Sequence, residues 1–272
     1  MKRFLSAEDA KEFKSALAFL TSLPIDATAP SPATLKMFPA VGALLGISEG
    51  LLYKLVKKVS PAYMAAAVTV MSDLVFTSGM HLDGLADSAD ALLAHVPKNS
   101  RLSIMEEPAL GVYGVSAIVM SLILKTLALF GDESSLVDFV LPMVFSRTIA
   151  KAIIEKSTYA KGDGLALKFQ ENSNDHSDLT PANAPDMTSL ETAMIAILLL
   201  MSLLASKRKK VLTKRIFSLF AALGPVLFIH KTAKNKLNGY TGDTIGASIT
   251  CYEVSYWLFR NIGSMADARR QS

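Results

Sequence analysis

Long apolar runs recur along this chain at a length that few soluble folds absorb. A helix that crosses the hydrocarbon of a bilayer needs about 20 predominantly apolar residues. Residues 108–124 carry no charge, and Lys125 alone interrupts the run before Gly131. Residues 192–206 and 216–230 are also uncharged. Four further runs, 37–56, 62–82, 136–154 and 244–262, hold isolated charges such as Glu49, Asp73, Arg147 and Glu253. Strand signals are weak, and Pro, Gly and charged clusters separate the runs. The pattern predicts an all-α, polytopic membrane helical bundle of about six or seven transmembrane helices. A soluble bundle with long buried helices is the alternative. Stretches such as IAILLLMSLLA are too uniformly apolar for a half-exposed soluble helix. Charges inside such segments are costly and mark function by default.

Composition narrows the rest. At 51% hydrophobic and 19% charged residues, the chain is far from a disordered composition. Its one cysteine, Cys251, excludes an intrachain disulfide and a paired-cysteine zinc framework. A net charge of +4 from 28 basic and 24 acidic residues is mild and does not suggest nucleic acid as a partner. The basic start MKRFLSAEDAKEFK lacks a following apolar stretch, so no cleavable signal is expected. Residues 24–39 hold four prolines and form an irregular connection, whereas residues 157–188 are polar and are expected to form a loop or lid. Basic residues flank the 216–230 run on both sides, so the charge rule for orientation gives no answer there.

The chemistry concentrates in His81-Leu82-Asp83-Gly84-Leu85-Ala86-Asp87-Ser88-Ala89-Asp90. On a helix, Asp83, Asp87 and Asp90 fall within an arc of roughly 60°. Three carboxylates on one stripe repel one another, and a bound divalent cation removes that repulsion. Hard oxygen donors suit magnesium, which proteins often share with substrate phosphates. A solvated acidic face is the bland alternative. His81 is more simply a polar contact than a metal ligand. A second element, Tyr240-Thr241-Gly242-Asp243-Thr244-Ile245-Gly246-Ala247, places glycines and an N-cap candidate, Thr241 or Asp243, at a helix start. The free N–H groups there, beginning at Gly242, suit a phosphate, and Asp243 is a further metal-ligand candidate. In a third element, Arg101 is placed to pair with phosphate, and Glu106 or Glu107 to add a ligand. Arg147, within an apolar run, needs a phosphate, an aspartate or a structural partner.

Taken together these elements resemble the adenosylcobinamide-GDP ribazoletransferase family, also called cobalamin 5'-phosphate synthase. The family pattern H-L-D-G-L-A-D-[ST]-x-D-G matches His81 through Asp90, with Ala91 in place of the last glycine. T-G-D-T-[LI]-G-A matches Thr241 through Ala247, and the second glutamate of the following E-x-x-E matches Glu253. F-P-x-x-G-x-x-x-G matches Phe38 through Gly46, and Ser146, Arg147, Tyr159, Ala160, Gly164 and Leu165 match a further motif. In the Ile104–Gly111 stretch two basic residues of the family pattern are absent, while Glu107 keeps a carboxylate.

The resemblance implies one membrane-embedded catalytic domain over residues 1–272. It implies an enzyme of cobalamin biosynthesis that joins adenosylcobinamide-GDP to α-ribazole or α-ribazole 5'-phosphate. The products are adenosylcobalamin or its 5'-phosphate, and GMP. The expected machinery is Asp83, Asp87, Asp90 and Asp243 as catalytic and Mg2+-holding residues, with Glu107 as a further ligand. His81, Arg101, Arg147, Thr241, Gly242 and Glu253 are expected at the substrates. A multi-pass protein of the cell membrane is expected, its site facing the cytoplasm, and a homo-oligomer is compatible with the sequence. Two rival classes are a membrane cation transporter using intramembrane aspartates and a CDP-alcohol phosphotransferase. The second needs an arginine where Asp87 stands.

Overall fold

A computed structural model describes residues 7–130, 135–161, 169 and 209–262. The helices in chain order are α1 (Ala7–Leu20), α2 (Phe38–Lys57), α3 (Ala62–Phe76), α4 (Met80–Leu93), the single turn α5 (Arg101–Ile104), α6 (Val112–Phe130), α7 (Leu136–Lys156), α8 (Lys209–Ala221), α9 (Leu223–Leu237) and α10 (Gly242–Asn261). Among the described residues the one extended pairing is a parallel bridge between Tyr159 and Tyr240. The all-α expectation therefore holds. The apolar runs at 192–206 and most of the polar stretch at 157–188 lie outside the described residues.

Helix α10 runs through the middle of the bundle and touches α4, α6, α7, α8 and α9. Its buried face includes Tyr252, Tyr256 and Trp257, and Trp257 meets Phe139 of α7 at a ring-centroid distance of 5.0 Å. Helices α2 and α7 pack closely because Gly42, Gly46 and Gly50 recur every fourth residue on one face of α2. A Cβ at Gly46 would lie 2.7 Å from the Cα of Val140, and one at Gly42 would overlap the carbonyl of Met143. Small residues at this spacing let two backbones approach, which is how helices associate where lipid removes the hydrophobic drive.

Three helical segments among the described residues are long and apolar enough to cross a membrane: Pro32–Lys57, Val112–Phe130 and Lys210–Leu237. A fourth arises only if α3 and α4, bent by 87° at their junction, count as one span. Among the described residues, length and apolarity alone thus account for three or four of the expected six or seven. The 62–82 run breaks because Ser78 and Gly79 take positive φ, 51° and 69°, a turn conformation that glycine accepts without strain. Helices α7 and α10 are long enough but carry the charges of the interior. The basic clusters around 216–230 also find their geometry, since the helical segment extends on both sides to 28 residues.

Candidate active site

The acidic stripe is presented by α4, and Asp243 by the first turn of α10. Both helix starts are built locally. Thr241 caps α10: its Oγ1 accepts the Thr244 N–H at 3.2 Å, while its own N–H donates to Thr244 Oγ1 at 2.9 Å. The crossing of α4 and α10 is made by glycines. A Cβ at Gly84 would lie 2.7 Å from the Asp243 carbonyl oxygen, and one at Gly246 would lie 3.2 Å from the Cα of His81. The backbones can therefore touch where the two acidic segments meet.

This contact puts Asp83 and Asp243 on the lining of one half-open cavity of about 250 Å³. His81, Lys161 and Gly242 share that lining. Asp87, one turn below Asp83, is acted on by the charges of Asp83, Asp243 and Asp90, opposed by Lys161. The Lys161 ammonium lies 3.6 Å from Asp243 Oδ2 and 3.7 Å from Glu106 Oε1. Its position is fixed by the bridge below it. Tyr240 N–H donates to the Thr158 carbonyl at 3.0 Å, and Ala160 N–H to the Tyr240 carbonyl at 2.8 Å. The bridge needs Gly239, where a Cβ would overlap the Thr158 carbonyl oxygen. Burial, with Tyr159 beside it, pushes the Tyr240 phenol up, so it stays protonated.

The other expected residues are placed differently. Asp90 caps the start of α6: its two oxygens accept the N–H groups of Gly111 at 2.7 Å and Gly114 at 2.9 Å. Arg101 is buried, and its guanidinium donates to the carbonyls of Ala91, Ala94 and Val96, closing the C-terminal end of α4. Glu107 is exposed on the loop before α6. Arg147 and Glu253 are brought to each other in the interior, where Ser146 Oγ also donates to Glu253 Oε1 at 3.1 Å. Lys125 completes that network, 2.6 Å from Asp73 Oδ2 and 3.1 Å from Glu253 Oε2. Glu49 Oε1, His81 Nε2 and two Arg147 nitrogens are buried there with no hydrogen-bond partner among the described residues. A small cavity whose lining includes Asp73, His81 and Lys125 adjoins them, so His81 borders both this cavity and the acidic cleft.

Lys161 and Lys125 were not singled out from sequence as site or network residues. Lys125 had a signal, a lone cation in an apolar run opposite a lone Asp73 in another. Lys161 sat within a motif match but in a stretch that reads as polar loop.

The donor set fits a hard divalent cation by chemistry: carboxylate oxygens, an excess of negative charge and one neighbouring ammonium. As the side chains stand, no three His, Cys, Asp or Glu residues converge to hold a metal among the described residues.

Comparison with known proteins accords with this picture. The pattern of the family described as cobalamin-5-phosphate synthase matches residues 12–260. The adenosylcobinamide-GDP ribazoletransferase of Shewanella piezotolerans is 32% identical over 262 residues, covering 90% of this chain and 93% of that protein. The protein of the same name from Leptothrix cholodnii is 31% identical, covering 92% and 94%. That from Escherichia coli is 28% identical, covering 92% and 98%. No solved structure matches this chain.

Proposed function

Because the chain belongs to the cobalamin-5-phosphate synthase family, we propose that the cleft between α4 and α10 is where adenosylcobinamide-GDP is joined to α-ribazole or α-ribazole 5'-phosphate. It is a transferase. A ribose hydroxyl attacks the cobinamide-side phosphorus, the phosphoanhydride bond breaks, and GMP leaves. The observation that carries this reading is the glycine-mediated contact of Gly84 with Asp243. It sets the two acidic segments around one cavity instead of leaving each on a solvated face.

In-line displacement at a diphosphate is governed by positioning and by neutralising charge. The free N–H groups at the start of α10 and the Lys161 ammonium orient the substrate phosphates. Asp87 accepts the proton of the attacking hydroxyl. Asp83, Asp87 and Asp243 would hold Mg2+, with Asp90 and Glu107 as further candidate ligands, and the ion supplies charge neutralisation at the diphosphate. His81, Thr241 and Gly242 border or shape the phosphate end of the cleft. Arg147 and Glu253 support it from behind, and Arg101 supports α4. The site faces the cytoplasm of the cell membrane, where nucleotide-activated substrates arise. A membrane-impermeant maleimide should then label a Glu107→Cys, Cys251→Ser variant in inverted vesicles and not in right-side-out ones.

The test is GMP release by the purified protein in lipid, supplied with both substrates, with and without magnesium. Magnesium-dependent GMP and a matching cobalamin product are expected. A folded protein that binds both substrates and forms neither product would overturn the reading.

A further inference from the structure

The cavity at the acidic cleft has two chemically different ends. Along α10 its lining runs from Gly242 and Asp243 to Ile245 and Ile249, a distance of about 10 Å at 1.5 Å per residue. The polar lining of Asp83, Lys161 and Asp243 lies at the α10 start, and His81 lies further along α10, against Gly246 and Thr250. The other end is closed by Phe19, Phe38, Phe169, Ile154, Ile245 and Ile249. The three phenylalanines form one aromatic cluster. Phe19 and Phe38 stack at 5.9 Å, and Phe169 meets them edge-on at 5.1 and 5.7 Å. Phe38 and Ile249 are almost fully buried.

We propose that this apolar end is the subsite for the aromatic base of α-ribazole, and that Phe19, Phe38 and Ile249 determine which base is accepted. The inference rests on the function proposed above and names the substrate part that the chamber receives. Four ring systems are available in the substrates: the corrin, guanine, the adenine of the adenosyl group, whose polar edge an apolar wall would strand as it would guanine's, and the base of α-ribazole. The corrin is far too large for about 250 Å³, below the usual range for a drug-sized ligand. Guanine carries donors and acceptors around its edge, and this wall offers it no matching groups, so its burial here would strand them at a cost. Dimethylbenzimidazole has no exocyclic polar group and presents two methyls and a flat face. Seated against the phenylalanines, it leaves its ribose at the polar end, beside Asp83 and Asp243, where the hydroxyl must react. GMP, which departs, keeps the open side.

The test uses the full-length protein in lipid and reads KM and kcat for each substrate separately, together with equilibrium binding of α-ribazole alone. Ile249→Phe shortens the chamber, and Phe19→Leu removes one aromatic face at a partly exposed position, so at least one folded variant is expected. The KM and Kd for α-ribazole should rise about tenfold or more, while the KM for adenosylcobinamide-GDP stays within about twofold. A ribazole analogue with adenine as its base should be disfavoured by the wild type by a similar factor. A variant that shifts only the adenosylcobinamide-GDP KM, or neither, overturns the assignment. If the wild type releases no GMP, the function fails. The binding arm then decides the chamber separately: unchanged α-ribazole affinity in both folded variants refutes it.

Discussion

Adding a single methyl at Gly84 should separate the two halves of the acidic site. A Cβ there would lie 2.7 Å from the Asp243 carbonyl oxygen, where ordinary contact begins at 3.4 Å. The obstacle is backbone and cannot rotate away, so α4 and α10 must part by about 0.7 Å. Misplacement of reacting groups by about 1 Å can cost about 10²-fold in rate, which puts Gly84→Ala at a loss of roughly 10- to 100-fold in GMP release. Its effect on stability is smaller. Overpacking costs about 1–3 kcal/mol, and replacing a mid-helix glycine returns roughly 0.5–1 kcal/mol. The thermal midpoint should therefore fall by only a few degrees. Gly246→Ala is the internal control, because its nearest neighbour is His81 Cα at 3.2 Å, a gap closed by a shift of tenths of an ångström. It should stay close to wild-type turnover. Gly46→Ala is the external control, since its Cβ would lie 2.7 Å from the Cα of Val140, in the contact between α2 and α7 and against no residue of the cleft. It should lower the midpoint without a matching change in the KM of either substrate. Wild-type turnover in Gly84→Ala, or a larger loss in Gly246→Ala, would refute the view that backbone contact at Gly84 sets the site.

Three other outcomes can be measured directly. Asp87→Asn, folded as judged by its thermal midpoint, should lose nearly all GMP release, and full turnover would remove Asp87 from the chemistry. Lys125→Met leaves Asp73 and Glu253 without their shared cation, so it should destabilise the protein by about 3–5 kcal/mol; chemical denaturation in detergent reads this, and adding Asp73→Asn should restore part of it. Arg101→Ala removes the donors that close α4, and should cost about 1–3 kcal/mol with the KM of adenosylcobinamide-GDP unchanged; a selective rise in that KM would mean that Arg101 meets phosphate.

Much of the frame was legible in sequence because it rests on local periodicity. The Asp83, Asp87, Asp90 stripe is a property of helical spacing, and the cap at Thr241 is a property of four neighbouring residues. What spacing does not carry is the partner that arrives from elsewhere. Asp90 shares the stripe, yet its carboxylate is engaged by the Gly111 and Gly114 N–H groups because α6 starts beside it. Arg101 carries the chemistry of a phosphate binder, but the end of α4 lies nearer and presents three carbonyls. Lys125 reads as an interruption of a span until α3 and α10 bring Asp73 and Glu253 to it. The Thr77-Ser78-Gly79 turn had a readable signal in its glycine, but the apolar run on either side outweighed it. Lys161 depends on a bridge between residues 159 and 240, a sequence separation at which no local rule operates.

The interior ion network has a consequence for how the chain is made. Its members come from different helices: Asp73 from α3, Lys125 from α6, Arg147 from α7 and Glu253 from α10. Asp73 and Lys125 can find each other as soon as α6 has emerged. Arg147 must wait through the synthesis of about a hundred further residues before its carboxylate exists. Until then a guanidinium in an apolar helix has to stay near the headgroups or in the insertion machinery. Nascent chains that stop before Glu253 therefore hold Arg147 in α7 without its ion-pair partner.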